Sequence, residues 1–108
     1  MTTRRQKIEA MLRDDPDDVF LRYSLALEME SAGEADASLE ILEALARETP
    51  AYVPAFHMAG RQLVALGRIE EARRALREGI EEARRQGNAH AAGEMSELLM
   101  SVGDAGES

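Results

Sequence analysis

Two histidines are the side chains of this sequence best suited to hold a metal ion. His57 and His90 lie 33 residues apart, and Glu94 or Glu97 could supply the carboxylate that a two-histidine site also needs. We favour the simpler prediction that both are ordinary surface histidines. The sequence therefore predicts no metal site and no cofactor.

The residue spacings that catalysis requires are missing from the sequence. It contains no Gly-rich phosphate loop, no HExxH motif and no nucleophile elbow. Ser24, Ser31 and Ser38 have no recognisable arrangement of base and orienting group around them. Paired acids such as Glu70-Glu71 are typical of solvated faces and helix starts rather than of acid–base catalysis. We therefore predict that the protein is not an enzyme.

A cluster of arginines is the one feature that could bind phosphate groups. The cluster comprises Arg73, Arg74, Arg77, Arg84 and Arg85. Glutamates stand four residues away from most of them, in the pairs Glu70/Arg74, Arg74/Glu78, Arg77/Glu81 and Glu81/Arg85. Side chains four apart are neighbours on a helix, so we predict a face laced with salt bridges instead. The net charge of −8 also excludes a general nucleic-acid binder.

Length and composition limit the fold. A chain of 108 residues allows one domain, and without Cys it has neither disulfides nor a thiolate zinc site. Aromatic residues make up only 4%, which is low for an all-β core. No apolar stretch approaches the ~18 residues needed to cross a bilayer, and no apolar export segment follows the basic start. We expect a cytoplasmic protein that does not contact membranes.

A repeat of 34 residues organises the chain. Pro16 and Pro50 are separated by this distance, as are Gly33 and Gly67, and the apolar pattern between them recurs. Residues 17–50 and 51–84 are therefore predicted to be two helical hairpins. The flanks continue the register as half-repeats, with a spacing of 36 residues on the C-terminal side. The predicted helices are 3–14, 18–32, 35–47, 52–66, 69–85 and 88–102.

These hairpins resemble the tetratricopeptide repeat. The second hairpin carries Phe56, Ala59, Gly60, Leu63, Ala72 and Leu76, and the first carries Leu25, Ala26, Met29, Leu42 and Pro50. The C-terminal half-repeat carries Ala92, Met95, Ser96 and Leu99. The pattern departs at Arg22 and Arg84, where the family has an aromatic residue and a proline. The resemblance implies an all-α, right-handed superhelix over residues 1–103, and we expect a disordered tail at 104–108.

The resemblance also implies an inner surface, lined by the first helix of each repeat, that binds a peptide or protein segment. The matching inner-surface residues are Phe20, Tyr23, Leu27, Glu30, His57, Arg61, Val64, His90 and Glu97, together with Pro54, Gly93 and Met100. Phe20, Tyr23 and Leu27 could form an apolar recognition patch, or helix 3–14 could cover them. Only Arg61 suits a carboxylate clamp of the kind that co-chaperones use, so we predict that this clamp is absent.

The C-terminal half-repeat lacks the partner helix that would cover it. Leu98 is apolar where the earlier repeats have Glu28 and Gln62, and Val102 follows one turn later. These two residues could form a dimer contact, an exposed patch or a surface covered by the tail. The alternative function is therefore a self-association module that forms homodimers.

Overall fold

The computed structural model describes the backbone of residues 1–106 and the side chains of residues 1–103. Six helices and no strand occur in this part of the chain. They are α1 (Arg4–Asp14), α2 (Val19–Ser31), α3 (Ala35–Ala46), α4 (Val53–Ala65), α5 (Ile69–Arg85) and α6 (Ala89–Gly106). The six predicted helices are confirmed, although α6 continues past the predicted end at residue 102. The prediction of a disordered tail is not tested, since residues 107 and 108 lie outside the described part.

Side-chain caps mark where α1, α2 and α6 begin. Thr3 and Gln6 form a capping box at the start of α1. The Asp18 carboxylate accepts a hydrogen bond of 2.9 Å from the backbone N–H of Leu21 at the start of α2. Asn88 accepts a hydrogen bond from Ala91 in the same way at the start of α6. Each cap satisfies a backbone donor that the first turn of a helix leaves without a partner.

Three glycines end α2, α4 and α5. Gly33, Gly67 and Gly87 all have positive φ, between 76° and 81°. After α2, the N–H of Glu34 donates to the carbonyl of Met29, and the N–H of Gly33 donates to that of Glu30. The same pair of bonds closes α4 and α5, so all three ends are Schellman motifs. This repeated stop gives the hairpins their common geometry.

Apolar side chains form two clusters along the stack of helices. The first spans α2–α5 and contains Ala26, Leu39, Leu42, Leu45, Ala55, Ala59, Leu63 and Ala72. The second spans α4–α6 and contains Val53, Phe56, Leu76, Ile80, Ala83, Ala92 and Met95. Because α4 and α5 contribute to both clusters, the core continues from one hairpin to the next.

Small residues let α5 approach its neighbours closely. A Cβ atom at Gly60 of α4 would lie 2.6 Å from Cδ2 of Leu76. A Cβ atom at Gly79 of α5 would lie 2.5 Å from Cβ of Phe56 and 2.6 Å from Sδ of Met95. Gly79 therefore sits between α4 and α6, and the absence of a side chain there brings three helices together.

Ion pairs fasten α1 to the first hairpin. Arg4 pairs with Glu28 of α2 at 3.0 Å, and Arg5 pairs with Glu34 through both of its terminal nitrogens. The hydrogen bond from Arg5 lowers the pKa of Glu34 below its ordinary value of 4.5. Ile8 is the buried residue of α1. The N-terminal helix is thus a mainly polar cap on the stack.

The ion pairs of α5 differ from those predicted. Arg85 does pair with Glu81, at 3.1 Å, but the other described pairs are three residues apart. These are Arg68–Glu71, Arg73–Glu70 and Arg85–Glu82. Side chains three and four residues apart are both neighbours on a helix, so the spacing alone does not select between them.

Candidate functional site

All nine predicted inner-surface residues reach solvent. Phe20, Glu30, Arg61, His90 and Glu97 are exposed, whereas Tyr23, Leu27, His57 and Val64 are half-buried. They belong to α2, α4 and α6, which are the first helices of successive hairpins. Their accessibility meets the first requirement for binding, while their role in binding stays a prediction.

Phe20 is the most distinctive of these residues. Its side chain is 64% exposed, which is unusual for a phenylalanine in a small domain. Helix α1 therefore does not cover it, and the alternative that the N-terminal helix hides Phe20 is wrong. Tyr23 and Leu27 follow on the same helix and are only half-buried. Together, Phe20, Tyr23 and Leu27 form what we call the α2 patch.

Tyr23 connects the α2 patch to the next repeat. Its ring packs edge-on against Tyr52, with centroids 5.5 Å apart, and it rests on the first apolar cluster. Burial raises the pKa of the Tyr23 phenol and Tyr52 raises it further, whereas the positive charge of Arg61 on α4 lowers it. Tyr23 and Arg61 are therefore close enough to interact electrostatically, and a shared role in binding stays a prediction.

The histidines do not form a metal site. His90 is an exposed side chain, and its Nε2 lies 3.4 Å from a carboxylate oxygen of Glu94 on the same helix. Among the residues that the structure describes, no group of three or more His, Cys, Asp or Glu side chains could hold a metal ion. His57 is half-buried on α4.

Of the two residues predicted at a possible dimer contact, Val102 is buried and Leu98 is half-buried. Val102 is only 3% exposed, and Leu98 packs against the second apolar cluster. The register explains this burial: Gln62, at the position of Leu98, is buried beside Ser38 of the preceding helix. Arg73 of α5 also donates to the carbonyl of Gly103, at 3.2 Å. This face of α6 therefore packs towards α5, and a dimer contact stays a prediction.

Sequence reasoning missed a cleft between α3 and α5. It has a volume of about 540 Å³ and a floor of small and apolar residues, including Ala46, Ala55 and Ala59. Charged side chains from α3 and α5 form its rim: Glu43, Arg47, Glu71, Arg74, Glu78, Glu81, Glu82 and Arg85. None of the nine inner-surface residues lines it. The alanines of the floor are the only sequence signal that could have indicated it.

Known proteins resemble this chain over most of its length, although no family profile matches it. A TPR repeat-containing protein of Pseudomonas aeruginosa is 29% identical over 92 residues, which are 85% of this chain and 88% of that protein. A tetratricopeptide repeat domain protein from Salinibacter ruber, solved by NMR, is 30% identical with a TM-score of 0.76. The match covers 81% of this chain and 88% of that one. The chain belongs to the tetratricopeptide repeat family.

A second solved structure matches this tetratricopeptide repeat protein over nearly its whole length. The solution structure of a Bordetella parapertussis protein has a TM-score of 0.81 at 27% identity. It covers 97% of this chain and 91% of its own. Helices α2–α3 and α4–α5 are therefore two full tetratricopeptide repeats, and α1 and α6 are the flanking half-repeats of one superhelix.

Polar contacts occur at or near the two positions that depart from the repeat pattern. Arg22 stands where the family has its opening aromatic residue, and its guanidinium donates to Glu48 in the loop between α3 and α4. Gln86 lies two residues beyond position 84, where the family has a proline, and its Nε2 donates a hydrogen bond of 2.9 Å to the carbonyl of Ala51.

Within the described residues, no helix is both long and apolar enough to cross a membrane.

Proposed function

We propose that this tetratricopeptide repeat protein binds a peptide or protein segment on the surface formed by α2, α4 and α6. The fold as a class mediates protein–protein interaction, and the family is typically non-enzymatic. The protein would therefore act as a preformed scaffold without chemistry of its own. The cytoplasmic location expected from the sequence stays a prediction.

The α2 patch is the observation that carries this proposal. Phe20 offers an aromatic ring to solvent, and Tyr23 and Leu27 extend the apolar surface along the same helix. Aromatic side chains dominate the energetics of protein interfaces, and an exposed aromatic patch on a small domain marks a contact site. Arg61 on α4 is exposed and could pair with an acidic side chain or a terminal carboxylate of the bound segment.

The charge of the first repeat adds a second property. Residues 17–50 hold nine acidic and two basic residues, a net charge of −7. Exposed Glu30 lies on the inner surface one turn beyond Leu27. Long-range attraction should therefore speed the encounter with a basic partner, and added salt should slow it. An association rate that does not depend on salt would contradict this part of the proposal.

Selection from a peptide library tests the site without any assumption about the sequence of the partner. Peptides that bind the immobilised protein would be titrated into labelled protein, and backbone amide shifts would map where they bind. We expect the shifts to centre on α2 and α4. Phe20→Ser and Tyr23→Ser should each weaken binding by roughly ten-fold, as truncation of an interface aromatic commonly does.

The matched control is Leu66→Ser, which removes an exposed aliphatic side chain from outside the α2 patch. Its affinity for the selected peptides should equal that of the unchanged protein. The proposal would be contradicted by peptides that shift the amides of other surfaces and bind Phe20→Ser with the same affinity as the unchanged protein. Because Phe20 is largely exposed, its replacement should leave the unfolding midpoint nearly unchanged.

A further inference from the structure

The C-terminal end of the stack carries an open cleft that shares only Met100 with the proposed inner surface. This terminal cleft has a volume of about 610 Å³ and is lined by Arg77, Ile80, Glu81, Arg84, Ser96, Leu99 and Met100. Met100 is 71% exposed, although it is a large apolar side chain. The cleft therefore leaves apolar surface in water at one particular end of the protein.

The repeat register shows what kind of element fits the terminal cleft. Moved back by one repeat, its α5 residues Arg77, Ile80 and Glu81 become Glu43, Ala46 and Arg47 of α3, and Leu99 becomes Leu63 of α4. Those four earlier residues line the α3–α5 cleft, whose third wall is α5 itself. Among the described residues, the terminal cleft has walls from α5 and α6 only. The geometry is therefore that of a site for one more second-type helix.

The small residue at Ser96 supports this interpretation. Ser96 occupies the position of Gly60, which accepts the side chain of Leu76 from the second helix of its own repeat. A helix that docked on α6 would place a large aliphatic residue against Ser96. Leu99 and Met100 would flank that residue as Leu63 and Val64 do in α4.

Electrostatics indicate the charge of the docked helix. In the complete repeat, Arg68 at the start of α5 pairs with Glu71, which is the main reason that its pKa is raised, and Glu43 on α3 adds a smaller attraction. One repeat later, Arg77 replaces Glu43 as the α5 residue of the cleft. The sign is reversed, so the docked helix should carry an acid where α5 carries Arg68. Arg77 and Arg84 form no salt bridge within the described residues, and Arg85 holds Glu81.

The N-terminal helix of a second copy would not serve as this element. In the register of the second helices, Arg4 of α1 stands where α3 has Ser38 and α5 has Ala72. Ser38 and Ala72 are completely buried against their first helices. A long charged side chain at this position prevents the same close approach, so head-to-tail stacking is disfavoured.

We propose that the terminal cleft docks an amphipathic helix of a partner protein, in the position that a second helix takes in the two complete repeats. The partner helix presents a large aliphatic residue to Ser96 and an acidic N-terminus to Arg77. This interaction surface is separate from the α2 patch. Either site can therefore fail without the other.

The protein supplies a suitable probe in its own sequence. A peptide of residues 34–47 is the α3 segment, with Glu34 at the register position of Arg68 and Leu42 at that of Leu76. Because isolated helices of this length are marginal in water, the peptide would carry a side-chain lactam on its outward face, and circular dichroism would verify its helicity. Titration into labelled protein should shift the amides of α5 and α6.

Charge reversal and apolar disruption test the two contacts separately. Arg77→Glu should weaken binding of the peptide by roughly ten-fold, and the same peptide with Glu34→Arg should bind the unchanged protein equally poorly. Met100→Asp should abolish binding. The matched control is Met11→Asp, which alters an exposed methionine of α1 and should leave binding unchanged.

Two results would overturn the proposal. The first is a peptide of verified helicity that causes no shift in α5 or α6 at a concentration of about 1 mM, which corresponds to a binding free energy weaker than about −4 kcal/mol. The second is sedimentation of the protein alone as a dimer that Met100→Asp dissociates, because a second copy would then occupy the cleft. Binding that survives Met100→Asp but is lost in Phe20→Ser would place the peptide on the α2 patch instead.

Discussion

Leu76 fills the space above Gly60, where a Cβ atom would lie 2.6 Å from Cδ2 and 2.8 Å from Cγ of the leucine. Leu76 is completely buried, so its side chain has little room to yield. The contact fixes the distance between α4 and α5 in the second repeat. It also indicates that a large aliphatic side chain would pack against Ser96, the corresponding residue of the third repeat.

Replacement of Gly60 by alanine should therefore destabilise the protein. We expect Gly60→Ala to lower the free energy of unfolding by about 1–3 kcal/mol, because overpacking outweighs the helix preference of alanine. Equilibrium unfolding in urea, followed by circular dichroism, would measure the change. A variant as stable as the unchanged protein would contradict the close packing of α4 on α5.

The matched control is Gly93→Ala in α6. Gly93 is exposed, and a Cβ atom there would meet nothing within 4 Å. This substitution should raise the free energy of unfolding by about 0.5–1 kcal/mol, since alanine loses less backbone entropy in a helix. If Gly60→Ala lowers the free energy of unfolding and Gly93→Ala raises it, the effect of packing is separated from that of helix propensity.

A buried polar chain crosses from α4 to α2. The Ser38 hydroxyl donates to the carbonyl of Ala26 at 2.7 Å and accepts from Nε2 of Gln62 at 3.1 Å, while Oε1 of Gln62 has no hydrogen-bond partner. Ser38→Ala should cost about 1–3 kcal/mol, because it leaves the Gln62 amide buried without a partner. Ser38→Ala combined with Gln62→Leu should be more stable than Ser38→Ala alone. A double-mutant cycle in urea would measure this coupling.

The two tyrosines should make the stability of the protein depend on pH in the alkaline range. Burial raises the pKa of both Tyr23 and Tyr52 above 10.0, and no other tyrosine is present. The folded state therefore prefers the neutral phenols, and stability present below pH 10 should fall as the pH rises towards the folded pKa values. Ultraviolet absorbance of the phenolate should show later ionisation in buffer than in urea. Tyr52→Phe should move the Tyr23 pKa back towards 10.0, and an unchanged value would contradict the contact between the two rings.

Acid should loosen the N-terminal helix first. The pKa of Glu34 is lowered by the hydrogen bond from Arg5, so its stabilising contribution is present above about pH 4.3 and is lost as the pH falls through the lowered value. Hydrogen exchange of α1 amides, corrected for intrinsic rates, should speed up in this range. Glu34→Gln should remove the effect, and Glu40→Gln, at an exposed site on α3, should not. Equal responses of the two variants would refute the role of the ion pair.

The helices were predictable because residues close in sequence determine where they end. Gly33, Gly67 and Gly87 require a conformation that glycine adopts easily, and the 34-residue spacing places the helices between them. Accessibility of Phe20 was left open by the sequence, since it depends on how far α1 reaches across α2. In the structure, Arg4 and Arg5 of α1 pair with Glu28 and Glu34, and Phe20 stays exposed.

Leu98 occupies the register position of Gln62, and its packing was not predictable because the sequence alone does not show that Gln62 is buried. Two further features depend on three-dimensional packing that periodicity does not encode. The α3–α5 cleft arises from the separation of two helices that share only α4 as a neighbour. Glu70 pairs with Arg73, three residues away, and not with Arg74, four residues away, and side-chain rotamers decide between these two spacings.

Every substantial contact between helices joins elements that are adjacent in the chain, except that α4 also meets α6. Only short loops must close before each contact forms, so little chain entropy is lost in advance of the stabilising interactions. Proteins with such local topologies fold within microseconds to milliseconds. We therefore expect rapid folding that can begin in either repeat and spread outward, with α1 joining last.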